Sequence, residues 1–183
     1  MQTQFSSGLG SAMHQVAQLI QVRSQVGAPR QVFFVGAGGF DTHSTQLDAH
    51  AQMLRDLSSG LFCFKQAAEE LGVWNNVVLL TLSEFNRTLM ANSSAGSDHA
   101  WGGHHIVMGG PVQGGAIHGT FPTLELGGPD DVDSTGRLLP TTSLTQILAE
   151  LATWFGVPAS SIASFLPNLI NFQSPSIGFI RAS

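Results

Sequence analysis

Two glycine-rich loops contain the residues best suited to chemistry. The first loop spans residues 38–43 and has the sequence GGFDTH, and the second spans residues 96–105 and has the sequence GSDHAWGGHH. In each loop an aspartate lies within two positions of a histidine. Carboxylate oxygen and imidazole nitrogen are ligands for divalent metals such as zinc, and glycine lets the backbone bend without a steric penalty. The pattern predicts a divalent metal site, provided that the two loops meet.

The first loop supports two interpretations. Asp41 and His43 could both be metal ligands, or one could be a ligand and the other its hydrogen-bonded orienting partner. Alternatively, Asp41 caps the helix predicted to begin near Ser44, and His43 has no function. The spacing alone does not separate these possibilities.

The second loop offers four candidates within eight residues. We favour His99 and Asp98 as ligands, ahead of His104 and His105. The alternative is that His104 or His105 begins a strand and faces solvent. The spacing does not match a compact zinc motif such as HExxH or paired CxxC.

A further acidic candidate follows an apolar run at residues 77–82. Glu84 comes directly after this run, which we expect to be a buried strand, and a buried charge needs a partner or a metal. Glu84 could therefore ligate a cation. Arg87 could bind an anion, or it could simply form an ion pair with Glu84.

The elements that would position these loops follow from apolar periodicity. Helical spacing predicts helices at residues 12–22, 44–71 and 144–155. Short apolar runs predict strands at residues 31–35, 77–82 and 105–108, with a short hairpin strand at 116–119. This order predicts an α/β fold with a mostly parallel sheet flanked by helices. In such sheets, sites lie beyond the carboxyl ends of the strands, where Asp41, His43 and Glu84 fall.

Several residues are expected to define the ends and the middle of these helices. Ser44 is a suitable N-cap for the long helix, and Gly72 is a suitable terminator. Gly60 weakens its middle and would be compatible with a bend. For the last helix, Thr142 or Ser143 is expected at the start and Gly156 at the end.

Composition excludes several classes of function. The chain has 183 residues and a net charge of −5, and its few basic residues are scattered, so no nucleic-acid footprint is present. No apolar stretch approaches the roughly 18 residues of a membrane span. The single cysteine, Cys63, excludes an internal disulfide framework and is expected to be a buried, inert thiol. The polar start MQTQ does not have the pattern of a signal peptide.

Six segments together resemble a known bacterial family, the domain-of-unknown-function family 1501 of the alkaline phosphatase/sulfatase superfamily. They are GGFDTH at 38–43, LSEFNR at 82–87, GSDHAWGGHHIVMGGPVQGG at 96–115, GTFP at 119–122, and the late WFGV and FLPNL. They occur in the right order over nearly the whole chain. One departure is Asn86, where family members usually carry glycine.

The resemblance implies an alkaline-phosphatase-like core with a two-metal site at strand ends. The implied metal ligands are Asp41, His43, Glu84, Asp98 and His99. Arg87 and His104 would hold an anionic substrate, and the cofactor would be Zn, Mn, Ca or Mg. The nearby hydroxyls of Thr42, Ser83 and Ser97 do not match a nucleophile pattern, so the catalytic residue is not assigned.

Family members are roughly twice as long as this chain. Residues 1–183 are therefore expected to form a single domain resembling the C-terminal half, with the α/β core incomplete at its N-terminal side. The other half would supply a first aspartate, the nucleophile and an export signal, because members are commonly exported by the twin-arginine route to the periplasm.

The expected function is a metal-dependent phosphatase- or sulfatase-like hydrolase domain acting on an anionic ester, with little or no turnover as a half-length chain. The alternative is a non-catalytic binding or assembly module that keeps the scaffold and forms a homo-oligomer or binds a partner. A third possibility is a purely structural metal.

Overall fold

The structure is a computed structural model that describes residues 1–5 and 8–181. It divides into two compact units. The first unit comprises Met1–Val77 and Met90–Asp98, and the second comprises Val78–Leu89 and His99–Ser183. Among the described residues, no helix combines the length and the apolar character that crossing a membrane requires.

The first unit is built from helices. They are α1 (Gly8–Gln21), α2 (Arg23–Val26) and α3 (Gln46–Glu70), followed by a short 3₁₀ helix at Trp74–Asn76. The core forms where α1 packs on the C-terminal half of α3, and its buried side chains are Met13, Ala17, Ile20, Leu61, Phe64, Ala67 and Ala68. The long helix is thus confirmed, and so is the glycine that ends it, since Gly72 has a φ of 68°.

Two details of α3 differ from the sequence prediction. Its N-cap is Thr45 rather than Ser44, and Thr45 has a left-handed backbone and makes no side-chain capping hydrogen bond. Gly60 does not interrupt the helix. Instead it is buried, and a Cβ built there would lie 3.4 Å from Cγ of Leu9 in α1, so this glycine permits close helix packing.

The prediction of a buried strand at residues 31–35 is wrong. Residues 31–42 form no turn, no bend and no strand. Val32 and Phe34 are 83% and 90% exposed. The apolar composition alone could not show that this segment lacks a neighbouring strand.

The second unit contains four short strands. β1 (Val78–Leu80) pairs antiparallel with β4 (Val107–Gly109), and β2 (Asn86–Arg87) pairs antiparallel with β3 (His99–Ala100). The strands predicted at 77–82 and 105–108 are confirmed in shortened form, whereas the hairpin strand at 116–119 is absent from the described residues. The strands of the described residues pair only antiparallel. These short pairs do not test the mostly parallel sheet, which stays a prediction.

The C-terminal part of the second unit is helical. It contains α4 (Leu144–Phe155), α5 (Ala159–Phe165) and a 3₁₀ helix at Pro167–Asn171. Of the two predicted N-caps for α4, Ser143 is the one used. Its hydroxyl accepts from the Thr145 amide, and Gln146 completes a capping box. Gly156 ends α4 with a φ of 98°, as predicted.

One buried carboxylate fastens the chain end to α4. Glu150 is only 7% exposed. Its oxygens accept hydrogen bonds from the amides of Ile177 (3.0 Å), Gly178 (2.8 Å) and Ile180 (2.7 Å) and from the hydroxyl of Ser176 (2.7 Å). Burial by itself raises the pKa of Glu150, but these donors outweigh it, and its pKa lies below the ordinary 4.5.

We predict that Glu150→Gln lowers the free energy of unfolding at neutral pH by about 1–3 kcal/mol, because an amide replaces a charged acceptor of several N–H groups. A carboxyl with a lowered folded-state pKa stabilises the fold above pH 4.5, and this contribution is lost as the pH falls through the folded-state pKa. Urea unfolding should therefore show a gap between wild type and variant that closes in acid. A gap that does not depend on pH would contradict this role.

Candidate metal centre

Two loops of the first unit meet at the N-terminus of α3. The first is the loop at residues 38–45 and the second is the loop at residues 92–98. Three backbone hydrogen bonds join them: Ser97 N–H to Thr42 O (3.2 Å), Thr45 N–H to Ser94 O (3.1 Å) and Gln46 N–H to Ala95 O (2.9 Å). The second loop thereby accepts hydrogen bonds from two N–H groups at the start of α3 that have no partner within the helix.

Gly96 makes this meeting possible. A Cβ atom built at Gly96 would overlap the backbone of His43 and Ser44. The backbones of the two loops therefore cross at a distance that only glycine allows. This contact holds His43 beside the second loop.

Asn92 fixes the shape of the second loop. Its side-chain oxygen accepts from the amides of Ser94 and Gly96, both at 3.0 Å. Its side-chain nitrogen donates to the His43 carbonyl at 3.0 Å and to Oδ1 of Asp98 at 3.1 Å. We did not predict a role for Asn92 from the sequence. The available indication was an asparagine opening a polar, glycine-containing loop, which is typical of a side chain that bonds its own backbone.

The imidazole of His43 lies between two carboxylates. Its Nε2 is 2.9 Å from Oδ1 of Asp41, and its Nδ1 is 3.4 Å from Oδ1 of Asp98. All three side chains are about half exposed, at 50%, 54% and 55% for His43, Asp41 and Asp98. The structure thus brings together the three predicted ligands that lie in the first unit.

The two contacts of His43 differ in kind. A neutral imidazole carries one N–H, so it can donate to only one carboxylate. The 2.9 Å contact with Asp41 is a normal N–H···O distance, whereas the 3.4 Å contact with Asp98 is longer than that range. A proton on Nε2 therefore suits the geometry. Nδ1 then carries no proton, and its lone pair faces Asp98.

The longer separation matches a metal-binding geometry. Zinc bonds to imidazole nitrogen and carboxylate oxygen are about 2.0–2.1 Å long, and two such ligands at a tetrahedral angle lie about 3.4 Å apart. This is the distance between Nδ1 of His43 and Oδ1 of Asp98. The donor set and its spacing fit a divalent ion, and the half-exposed side chains leave room for further ligands.

The other predicted ligands belong to the second unit. Glu84 is exposed, so the argument that a buried charge there requires a metal is wrong. His99 is also exposed, and its ring stacks on Phe85 with 3.8 Å between the ring centroids. The His99 carbonyl accepts a hydrogen bond of 2.9 Å from Nε of Arg137.

The predicted anion-binding residues also lie in the second unit. The guanidinium of Arg87 is 5.7 Å from the Phe85 ring centroid, and the ring of His104 lies 4.9 Å from that of Phe121. His104 and His105 are both exposed, as the alternative interpretation of this loop predicted, but neither begins a strand, since β4 starts at Val107. Partial loss of hydration, followed by repulsion from the charge of His104, lowers the pKa of His105.

The structure also shows the surroundings of Asn86, Cys63 and the three candidate hydroxyl groups. The side-chain amide of Asn86, at the position where we noted a departure from the family, donates to the Gly102 carbonyl. Cys63 is half-buried and forms no disulfide. Thr42 and Ser97, two of the three hydroxyl candidates, are buried at 9% and 4% exposure, whereas Ser83 is exposed.

Comparison with known proteins identifies the family. The family model described as "Protein of unknown function (DUF1501)" matches residues 2–162. Because the match covers well over half of the chain, the protein belongs to the DUF1501 family, and the resemblance found in the sequence is confirmed at that level. No curated protein and no solved structure matches the chain.

We predict that Gly96→Ala destabilises the first unit by at least about 2 kcal/mol, since the new methyl group must displace the backbone at His43. Gly36→Ala is the matched control, because nothing lies within 4 Å of a Cβ built at Gly36. Thermal unfolding measures both variants. Equal stability of the two variants would show that the close crossing of the loops does not occur.

Proposed function

We propose that this protein is a metal-dependent, hydrolase-like domain of the alkaline phosphatase/sulfatase type that acts on an anionic ester. The observation that carries the proposal is the pairing of His43 Nδ1 with Asp98 Oδ1 at 3.4 Å, at the junction of two loops held together by backbone hydrogen bonds. Since one of the paired donors is imidazole nitrogen, we favour zinc over calcium or magnesium.

In this proposal the three side chains have different roles. Nδ1 of His43 and Oδ1 of Asp98 hold the ion. Asp41 accepts the Nε2 proton of His43 and thereby fixes the tautomer and the ring orientation, as carboxylates do for many metal-bound histidines. Asn92 holds the Asp98 carboxylate in place through its 3.1 Å hydrogen bond.

A bound divalent ion would polarise a phosphate or sulfate oxygen and favour ionisation of a bound water. Arg87 supplies a planar guanidinium suited to two oxygens of such a group, and we propose it and His104 as anion-binding residues. The burial of Thr42 and Ser97 argues against either hydroxyl as the nucleophile. Glu84 and His99 stay proposed ligands, on the basis of their residue types and of the resemblance.

Zinc titration by calorimetry tests the site. We predict that Asp98→Asn and His43→Ala abolish measurable binding, because each removes a ligand atom. Asp41→Asn should weaken binding by about 10- to 100-fold, the usual effect of losing an orienting partner. Binding should also weaken as the pH falls, because protons compete with the metal for imidazole and carboxylate.

The matched control for this titration is Asp48→Asn, which removes an exposed carboxylate from the first turn of α3 in the same unit. It should leave zinc affinity unchanged. Unchanged affinity in His43→Ala, or an equal loss in Asp48→Asn, would contradict the site. His99→Ala, which alters the residue bonded directly to Asp98, tests whether this second imidazole is also a ligand.

Hydrolysis of p-nitrophenyl phosphate and p-nitrophenyl sulfate tests the reaction. We predict slow zinc-dependent turnover of one of these esters, in line with the little turnover expected of a half-length chain. This turnover should disappear in His43→Ala, while Arg87→Ala should raise KM more than it lowers kcat, because it removes an anion-binding group. Zinc binding without turnover of either ester would contradict the hydrolase proposal and would support a structural metal.

A second candidate function is a non-catalytic binding or assembly module on the same scaffold. The observation that favours it is the exposure of large apolar side chains in the first unit, above all Val32, Phe34 and Leu47 at 83%, 90% and 84%. Such exposure is typical of surfaces that another polypeptide covers.

A further inference from the structure

A cavity of about 260 Å³ lies within the first unit, where the start of α1, the loop at residues 36–40 and the middle of α3 come together. Its apolar walls are the half-buried side chains of Leu9, Phe40, Met53 and Leu57. The volume is below the roughly 300–1,000 Å³ of pockets that hold drug-sized molecules. The cavity therefore suits a small ligand with an apolar part.

One carboxylate gives this cavity its charge. Among the described residues that line it, Asp56 is the only charged one. The side chain of Asp56 is half-buried, and no described residue donates a hydrogen bond to it or forms an ion pair with it. A carboxylate that has lost part of its hydration without gaining a partner is stabilised by a cation placed beside it. A ligand that matches the cavity is therefore positively charged.

The backbone of residues 36–38 forms another wall of the cavity. Among the described residues, its amide and carbonyl groups form no backbone hydrogen bond, so its carbonyl oxygens are available as acceptors. A metal ion would find one carboxylate and no histidine or cysteine in the described lining, which is too few ligands. An alkylammonium instead offers three N–H donors and an apolar stem.

We propose that this cavity binds a primary ammonium group on a short alkyl stem, with the ammonium at Asp56 and the stem against Leu9, Met53 and Leu57. Free alkylamines and the lysine side chain of another polypeptide share this chemistry, and titration with both separates the two sources. The site does not depend on the proposed metal centre, so the failure of either proposal would leave the other intact.

An NMR titration of the ¹⁵N-labelled full chain locates and measures the binding. We expect n-butylamine at neutral pH to shift the amide signals of residues 36–38 with a Kd of about 1–10 mM, the range of a ligand with so few atoms. n-Butanol has the same stem without the charge, and tetramethylammonium has the charge without an N–H group. Each should bind at least about tenfold more weakly, because it cannot form charge-assisted hydrogen bonds to Asp56.

The same titration with Nα-acetyl-lysine N-methylamide identifies the source of the ammonium group. This compound carries the n-butylamine stem on a peptide unit. Tighter binding than that of n-butylamine would identify a lysine side chain of a polypeptide as the ligand, and weaker binding would identify a free amine.

Asp56→Asn tests the role of the carboxylate, because it keeps the shape of the side chain and removes its charge. It should weaken n-butylamine binding at least about tenfold and leave the temperature of thermal unfolding unchanged, since no contact of the folded chain is lost. Asp48→Asn is the matched control, because Asp48 lies on α3 outside the cavity, and it should bind n-butylamine like wild type. Equal binding of n-butylamine and n-butanol, unchanged affinity in Asp56→Asn, an equal loss in Asp48→Asn, or no shift at residues 36–38 would overturn the proposal.

Discussion

The close crossing of two backbones at Gly96 is the constraint on which the candidate site depends. The residues on either side of Gly96 form hydrogen bonds with Thr42 and Gln46, so the second loop is bonded both to the first loop and to the start of α3. The imidazole of His43 and the carboxylate of Asp98 come from residues 55 positions apart in the chain. They face each other only because this crossing fixes both loops.

The helices and the two loops could be predicted because their causes are local. Apolar spacing sets the bounds of α3 and α4, and the capping residues of α4 lie within three positions of its start. Asp41, His43 and Asp98 could be proposed as ligands because their residue types suit a metal. The choice between ligand and orienting partner required distances, since it depends on which imidazole nitrogen faces which carboxylate.

The incorrect predictions concern contacts between distant parts of the chain. The run at residues 31–35 has the composition of a buried strand, but burial depends on neighbours that composition does not specify. Glu84 was expected to be buried because the preceding run is apolar, yet the strand there ends at Leu80 and Glu84 is exposed. The hydrogen bonds that Glu150 accepts were not predicted, because their donors lie 26 or more residues further along the chain.

A crystal structure of the zinc-loaded protein, with anomalous diffraction measured at the zinc edge, would show whether the ion binds between His43 and Asp98. We expect an anomalous peak about 2.0–2.2 Å from both Nδ1 of His43 and Oδ1 of Asp98, with Nε2 still hydrogen-bonded to Asp41. A peak bound to Nε2 on the Asp41 side, or zinc located only at residues outside these two loops, would contradict it.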